Sequence, residues 1–493
     1  MKIYNGYERL QRNYTLVTDE YEYKMAQAYL LLGKEKDIAT FDVFFRKVPN
    51  EGGYAIMAGV DKIVDFIRNM HFGEQELDYF RRNNYREEFI NYLKNFKFSG
   101  DVYAIPDGTP VFPNEPIVTV KAPLIEAQIV ETAILSIVNG AMEHATGARR
   151  IIEATPKNKE VYVLPKVTTM EFGSRRADGL EAAIDSSIYG IMAGCIGTSN
   201  VHAANMLNIE ALGTMAHSFI ESFDTELEAF KAFGTIYPNN CMLLVDTIDT
   251  LRSGVPNAIK TFDYMKEHNI DLSHIGIRID SGDLAYLSKE ARKMLDFAGY
   301  TNAKICLSNG LTDKTIESLI MQGAKFDSLG VGDNISKPAG RMGCVYKEVE
   351  LNGTPKIKLS NDAIKIVNPG YKTLYRAYDK QTGYALADII TRHGEKISKD
   401  NLVIVSLVND LKRSTINNFE LVKLQKPIFL NGNCVYKDLD IKEIQKYCNE
   451  QMTTIYEEVK RTEKPHEYYV DGTDGYVSFK NQMIRGAKSL VKR

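Results

Sequence analysis

The stretch Gly213-Thr214-Met215-Ala216-His217-Ser218-Phe219-Ile220 sets a histidine among small residues. A histidine that does chemistry needs an exposed nitrogen, a partner that fixes its tautomer, and nearby stabilisation for negative charge. The segment suits a helix start, where free backbone amides favour an anion, and Thr214 would stand one turn before His217. A packed core histidine explains the same stretch, so its own residues leave the two readings level. Other groups point the same way as a set. Arg175, Arg176 and Arg278 can contact phosphate or carboxylate through two parallel bonds. Gly197, Gly282, Gly310, Gly330 and Gly332 let backbone amides approach phosphate oxygens. Asp249, Asp280 and Asp283 are carboxylates of the kind that hold Mg²⁺, which takes one or two protein oxygens and keeps its water. Together they describe a site for a polyanionic, Mg²⁺-bound substrate.

Each piece alone has an ordinary explanation. "RIDSGDL" can be a strand, a turn and a helix cap at Asp280 or Ser281. "GVGDN" can be a plain glycine turn, and "FGSRR" a solvated basic loop. "LLVDTIDT" lacks the adjacent acidic pair of the commoner phosphoribosyl-diphosphate fingerprint. The chain has no GxxxxGKS/T loop, no GxSxG elbow and no HExxH.

What must position these groups is an alternation that begins near residue 159. Short apolar runs ("VYVLPKV", "AGCIGTS", "CMLLVD", "IGIRID", "AKICLS", "FDSLGVG") read as strands. Between them lie helical patterns of ten to fifteen residues, among them "TELEAFKAF" with a capping box at Thr225 and Glu228. Alternating strand and helix predicts a parallel sheet, open or closed, with function at the C-terminal strand ends. Every run is followed there by polar or glycine residues. Upstream, 18–34 reads as a capped helix, 39–49 as a strand, and 60–96 as three short helices. Residues 100–123 read as a small β unit and 124–155 as a long helical stretch broken at Gly140 and Gly147. Downstream, 343–391 returns to strands, and a Lys/Glu-rich helix over 440–462 closes the pattern.

The 493 residues carry 61 Lys+Arg against 64 Asp+Glu, too balanced for a nucleic-acid or membrane-surface partner. Six cysteines at 195, 241, 306, 344, 434 and 448 form no CxxC pair and read as reduced thiols. The first 25 residues lack an apolar signal core, and the longest apolar runs read as too short to cross a bilayer, so a cytoplasmic location is expected.

In order along the chain, "LVTDEYEYKM", "FFRK", "GGYAIMAG", "GDVYAIPDGTPVFPNEPIVTV", "PLIEAQIVET", "EFGSRRADG", "GTSNV", "GTMAHSF", "LLVDTIDTL", "IRIDSGDL", "LSNGL", "GVGDNI" and "VYKEVE" resemble the nicotinate phosphoribosyltransferases, a type II phosphoribosyltransferase family. The likeness is dense over residues 10–360. It implies an α/β fold: an irregular (β/α) barrel over 136–345, an N-terminal α+β domain over 1–135, and a C-terminal extension over 346–493 that packs partly back on the N-terminal domain. It implies that nicotinate and phosphoribosyl diphosphate give nicotinate mononucleotide and diphosphate, in NAD biosynthesis, with ATP as co-substrate and Mg²⁺ as cofactor. By resemblance His217 is the phosphate acceptor, and Arg175, Asp249 and Asp280 share the catalytic region. Asp249 and Asp280 are the implied Mg²⁺ ligands. Tyr21 and Phe172 match rings that stack on the pyridine, Tyr21 from a partner subunit. Thr214, Arg278 and Arg46 match base and diphosphate contacts, and Gly310, Gly332 and Asp333 match the 5′-phosphate turns. A homodimer with shared sites is implied.

Ser199 stands where the nicotinamide-using relatives place Asp, which would repel a carboxylate, so Ser favours nicotinate. The alternatives are a nicotinamide or quinolinate enzyme of the same fold and a silent nucleotide-binding relative. An aldolase reading has only Lys166 as its lysine, too early beside "VTTMEFG".

Overall fold

The computed structural model describes residues 13–155, 167–359 and 366–491, and the side chains as far as residue 489. It divides into two compact units, cut between residues 146 and 147 and between 339 and 340. The expected strand "VYVLPKV", apart from Val167, and Lys166 lie outside the described residues.

The continuous unit, 147–339, carries a five-stranded sheet. Its order is Thr168–Glu171, Ser328–Val331, Lys304–Ser308, Ile275–Ile279, Cys241–Leu244, and all pairings are parallel. Ile275, Ile277, Ile279, Leu307, Leu329 and Val331 are buried, as strands covered on both faces require. Helices Glu226–Ile236, Val255–Glu267, Leu284–Phe297 and Asp313–Met321 alternate with the strands. The capping box at Thr225 and Glu228 forms. At "RIDSGD" the cap is Asp283, which accepts from the Tyr286 amide, and neither Asp280 nor Ser281 takes that role. "AGCIGTS" makes only a single parallel bridge, Thr198 beside Glu171. From there Leu212 N donates to Thr198 O, Asn240 Nδ2 to Gly213 O and Arg278 Nη2 to Met215 O. Irregular backbone over 212–215 thus runs from the Thr198 side of the sheet to the strands at its other side.

The second unit joins both ends of the described chain. Its seven-stranded sheet is antiparallel, and strands Ile38–Phe44, Val118–Pro123 and Asp101–Ala104 sit at its centre. Val345–Leu351 flanks them on one side and Lys426–Leu430 on the other. A six-stranded sheet runs Arg413–Ile416, Leu402–Ser406, Val470–Thr473, Ala385–Arg392, Lys372–Asp379, Phe419–Lys423. Within it Arg376, fully buried, grips Asp388 through two nitrogens at 2.7 and 2.6 Å and donates to Pro110 O at 2.8 Å.

Three expectations about helices change. Helix Glu131–Glu153 runs unbroken through Gly140 and Gly147. Gly147 is needed for close approach, because a Cβ there would sit 2.7 Å from Asn334 O. By length and composition 124–153 could cross a membrane, yet Ile134, Val138, Ala141, Met142 and Ala145 are buried in the protein. The Lys/Glu-rich helix is Ile441–Thr453 with a short turn Glu457–Lys460, and a strand and a further helix, Asp474–Val491, follow it.

Candidate functional site at the strand ends

The expected site residues of the continuous unit gather where the parallel strands end. The chain leaves Thr168–Glu171 into Phe172, whose amide donates to Val331 O at 2.7 Å. Phe172 lies against Gly330, where a Cβ would fall 2.6 Å from its ring, and Gly332 passes its carbonyl with little more room. Arg175 and Arg176 are exposed on the turn that follows. Arg176 pairs with Asp333 at 3.2 Å and Lys337 with Asp178 at 2.6 Å, both across the rim in solvent. Such exposed pairs contribute little stability, so these charges stay available to a polyanion.

Glu171 organises this corner. Its buried carboxylate accepts from the Gly173 amide and from the Ser187 and Thr198 hydroxyls. Its backbone accepts from Ser199 N at 2.9 Å and donates to Gly197 O at 3.0 Å. Burial raises this carboxyl above its ordinary range, while the hydrogen bonds pull it down. One side chain therefore sets both the Phe172–Gly173 turn and the Thr198–Ser199 segment.

Thr214 precedes the helix His217–Glu221, whose N-cap is Ala216, so Thr214 and His217 do not share a helical face. The helix is only five residues long, and the setting of His217 comes instead from Thr247, with Oγ1 3.0 Å from Nδ1. Arg278 anchors Met215 O at 3.1 Å. Its Nε is buried without a hydrogen-bond partner among the described residues, as is Asp246 Oδ1. Orphaned buried polar atoms cost about 1–3 kcal/mol each, a cost that a ligand pairing them would relieve.

The carboxylates are arranged differently from the sequence expectation. Asp246 Oδ2 accepts from Asp280 N at 3.1 Å and from Ser281 Oγ at 2.5 Å. Asp280 accepts from Ser308 Oγ at 2.6 Å. Asp249 caps its own turn, accepting from Leu251 N and Arg252 N. Glu171, Asp246, Thr247 and Ser308 were thus missed by sequence reasoning. Asp246 was findable, since it is the first polar residue after its strand. Asn309 and Gly310 both adopt positive φ, 90° and 59°, which turns the backbone sharply after Ser308. Tyr21 and Arg46 belong to the other unit. Tyr21 is 45% exposed, and its phenol is pushed up by burial and by Glu131 and Glu22. Arg46 stands 5.5 Å from the Phe44 ring centroid, with Nε buried and unpartnered among the described residues.

No group of three or more His, Cys, Asp or Glu gathers at metal-holding distance among the described residues. One or two carboxylates beside tight glycine turns is nonetheless a donor set that suits Mg²⁺ shared with a phosphate ligand. Parallel strands ending in arginines, aspartates and tight glycine turns are the arrangement with which α/β proteins bind phosphate-bearing ligands.

The comparisons make that class specific. The nicotinate phosphoribosyltransferase N-terminal domain matches residues 16–139, the nicotinate phosphoribosyltransferase family model residues 167–385, and the C-terminal domain residues 371–480. The chain belongs to the nicotinate phosphoribosyltransferase family. It is 38% identical to a nicotinate phosphoribosyltransferase of Bacillus subtilis over 97% of this chain and 96% of that one. Its fold matches the crystal structure of human nicotinic acid phosphoribosyltransferase with TM-score 0.81 and 24% identity, covering 95% of this chain and all of the other (100%). It also matches a nicotinate-nucleotide pyrophosphorylase from Pyrococcus furiosus, with TM-score 0.68, 23% identity and coverage of 90% and 96%.

Proposed function

We propose that this chain transfers the phosphoribosyl group of phosphoribosyl diphosphate to nicotinate, releasing diphosphate, as a step of NAD salvage. Family membership along nearly the whole chain carries this reading, with Phe172, Ser199, Arg278 and Asp280 at one end of one sheet. The unit 147–339 is read as an irregular barrel, its ring of parallel strands completed through 198 and 212–215. Glycosyl transfer builds positive charge at the ribose while diphosphate leaves, so the chain must hold the base in line and neutralise the leaving group. Arg175 and Arg278 supply positive charge, and the turns at Gly310 and Gly332 with Asp333 hold the 5′-phosphate. Phe172 stacks on the pyridine, Thr214 lies beside the diphosphate, and Ser199 leaves room for the carboxylate that an Asp would repel. Asp280 and Asp249 would hold Mg²⁺, whose chemistry is charge neutralisation of the diphosphate. Tyr21 and Arg46 serve the site of a partner subunit in a homodimer. The exposed Tyr21 ring, on a helix with exposed Leu31 beside Leu32, supports that assignment.

His217 is read as the acceptor of the γ-phosphate of ATP, coupling hydrolysis to transfer. Two assays test the proposal. Comparing kcat/KM for nicotinate, nicotinamide and quinolinate should favour nicotinate, and preference for either of the others would refute the substrate assignment. ATP radiolabelled in its γ-phosphate should leave acid-labile, base-stable label on the protein, lost in His217→Ala. Label that persists in that variant would remove His217 from the role.

A further inference from the structure

We infer that Thr247 is a positioning residue that decides which nitrogen of His217 can take the phosphoryl group; the inference rests on the phosphate-acceptor reading of His217. The contact between Thr247 Oγ1 and His217 Nδ1, at 3.0 Å, is the single hydrogen bond of this imidazole among the described residues. The two partners come from different elements. His217 opens the short helix after the irregular 212–216 segment, and Thr247 lies just beyond strand Cys241–Leu244. Thr247 stands in a pinned stretch. Asp246 on one side is tied to Asp280 N and Ser281 Oγ, and Asp249, two residues on, is closed onto Leu251 N and Arg252 N. The hydroxyl is therefore a fixed reference for the ring.

A neutral imidazole carries one N–H and one lone pair. With Nδ1 engaged by Thr247, Nε2 is the nitrogen left to meet ATP. Attack on phosphorus needs a lone pair at Nε2, so the ring proton sits on Nδ1 and donates to Thr247 Oγ1. The opposite tautomer makes the hydroxyl the donor and places a hydrogen on the attacking nitrogen. In the step, the Nε2 lone pair forms the N–P bond to the γ-phosphorus. The bond from that phosphorus to the β,γ-bridging oxygen breaks, and its electron pair leaves on ADP. No proton is released, and the ring charge that develops is shared with the Nδ1–H held by Thr247. Ordering a histidine through its second nitrogen is the same physics that orients catalytic histidines generally.

The test uses the full chain with Thr247→Val, which keeps the branched shape and removes the acceptor, and Thr247→Ser, which restores the hydroxyl. Nitrogen NMR of histidine-labelled protein reads the tautomer, and single-turnover labelling from γ-radiolabelled ATP reads the acceptor. Wild type should show protonated Nδ1. Thr247→Val should lose that preference and label about tenfold more slowly, equivalent to about 1.4 kcal/mol. Thr247→Ser should recover to within about twofold. Wild-type labelling and unchanged nitrogen signals in Thr247→Val would overturn the inference, and so would a Thr247→Ser variant as slow as the valine. An unlabelled wild type would refute the acceptor role instead, with the nitrogen signals still deciding the positioning contact.

Discussion

Gly330→Ala tests whether the seat beneath Phe172 governs binding of the base. The added Cβ would lie 2.6 Å from Cδ2 and 2.7 Å from Cε2 of the ring. Carbon atoms pack at about 3.5–4.0 Å, so the ring must retreat by roughly 1 Å. The backbone cannot follow freely, because Phe172 N is bonded to Val331 O at 2.7 Å. The ring must instead rotate, at about 0.5–1.5 kcal/mol for a displacement of about 30°. A ring stack is worth about 0.5–1.5 kcal/mol, and losing most of it raises KM for the base by about three- to tenfold. kcat should change less, and KM for phosphoribosyl diphosphate should stay within about twofold, since Gly310 and Arg278 are untouched. Initial rates against nicotinate measure this, with Phe172→Ala as reference. If Phe172→Ala weakened the base and Gly330→Ala left its KM unchanged, the idea that Gly330 seats the ring would fail.

Two further outcomes concern stability. Gly140→Ala places a methyl in open space inside helix Glu131–Glu153 and should stabilise by about 0.5–1 kcal/mol, read from the urea midpoint. Glu22 is raised by burial from 4.5 to about 7, despite hydrogen bonds from Thr132 and Thr18. Above the unfolded value the folded state holds the extra proton, so stability is full below about pH 4.5 and falls as pH rises through about 7. Glu22→Gln should flatten that decline in urea titrations across this range, and an unchanged slope would refute the assignment.

Much of the continuous unit was legible because parallel strands buried on both faces leave apolar runs and their ends collect polar residues. Arg278, Asp280 and the capping box at Thr225 followed from that rhythm. Glu171 was hidden because a buried carboxylate at a strand end reads as an ordinary polar stop, and only its three donors reveal it. Thr214 was misplaced by assuming a helical turn that already included it, whereas the helix starts at His217. Gly147 looked like a helix break because spacing along the chain says nothing of the Asn334 carbonyl pressing from outside. In the six-stranded sheet Lys372–Asp379 and Ala385–Arg392 were legible, and the other strands were obscure for a similar reason. Their partners are far apart in sequence, and "VDGT" has no strand pattern of its own.

The strand Val470–Thr473 lies inside that sheet, parallel to Ala385–Arg392 and antiparallel to Leu402–Ser406. Among the described strands it is the last to leave the ribosome. Until it arrives, its two neighbours present unpaired edges, the surfaces through which nascent chains aggregate. Residues 147–339, by contrast, are continuous and emerge earlier. Synthesis therefore favours a sequence in which the strand-end site is built first and the other unit is closed by its final strand. A chain stopped before residue 470 would keep every residue of the 147–339 site and still be prone to aggregate.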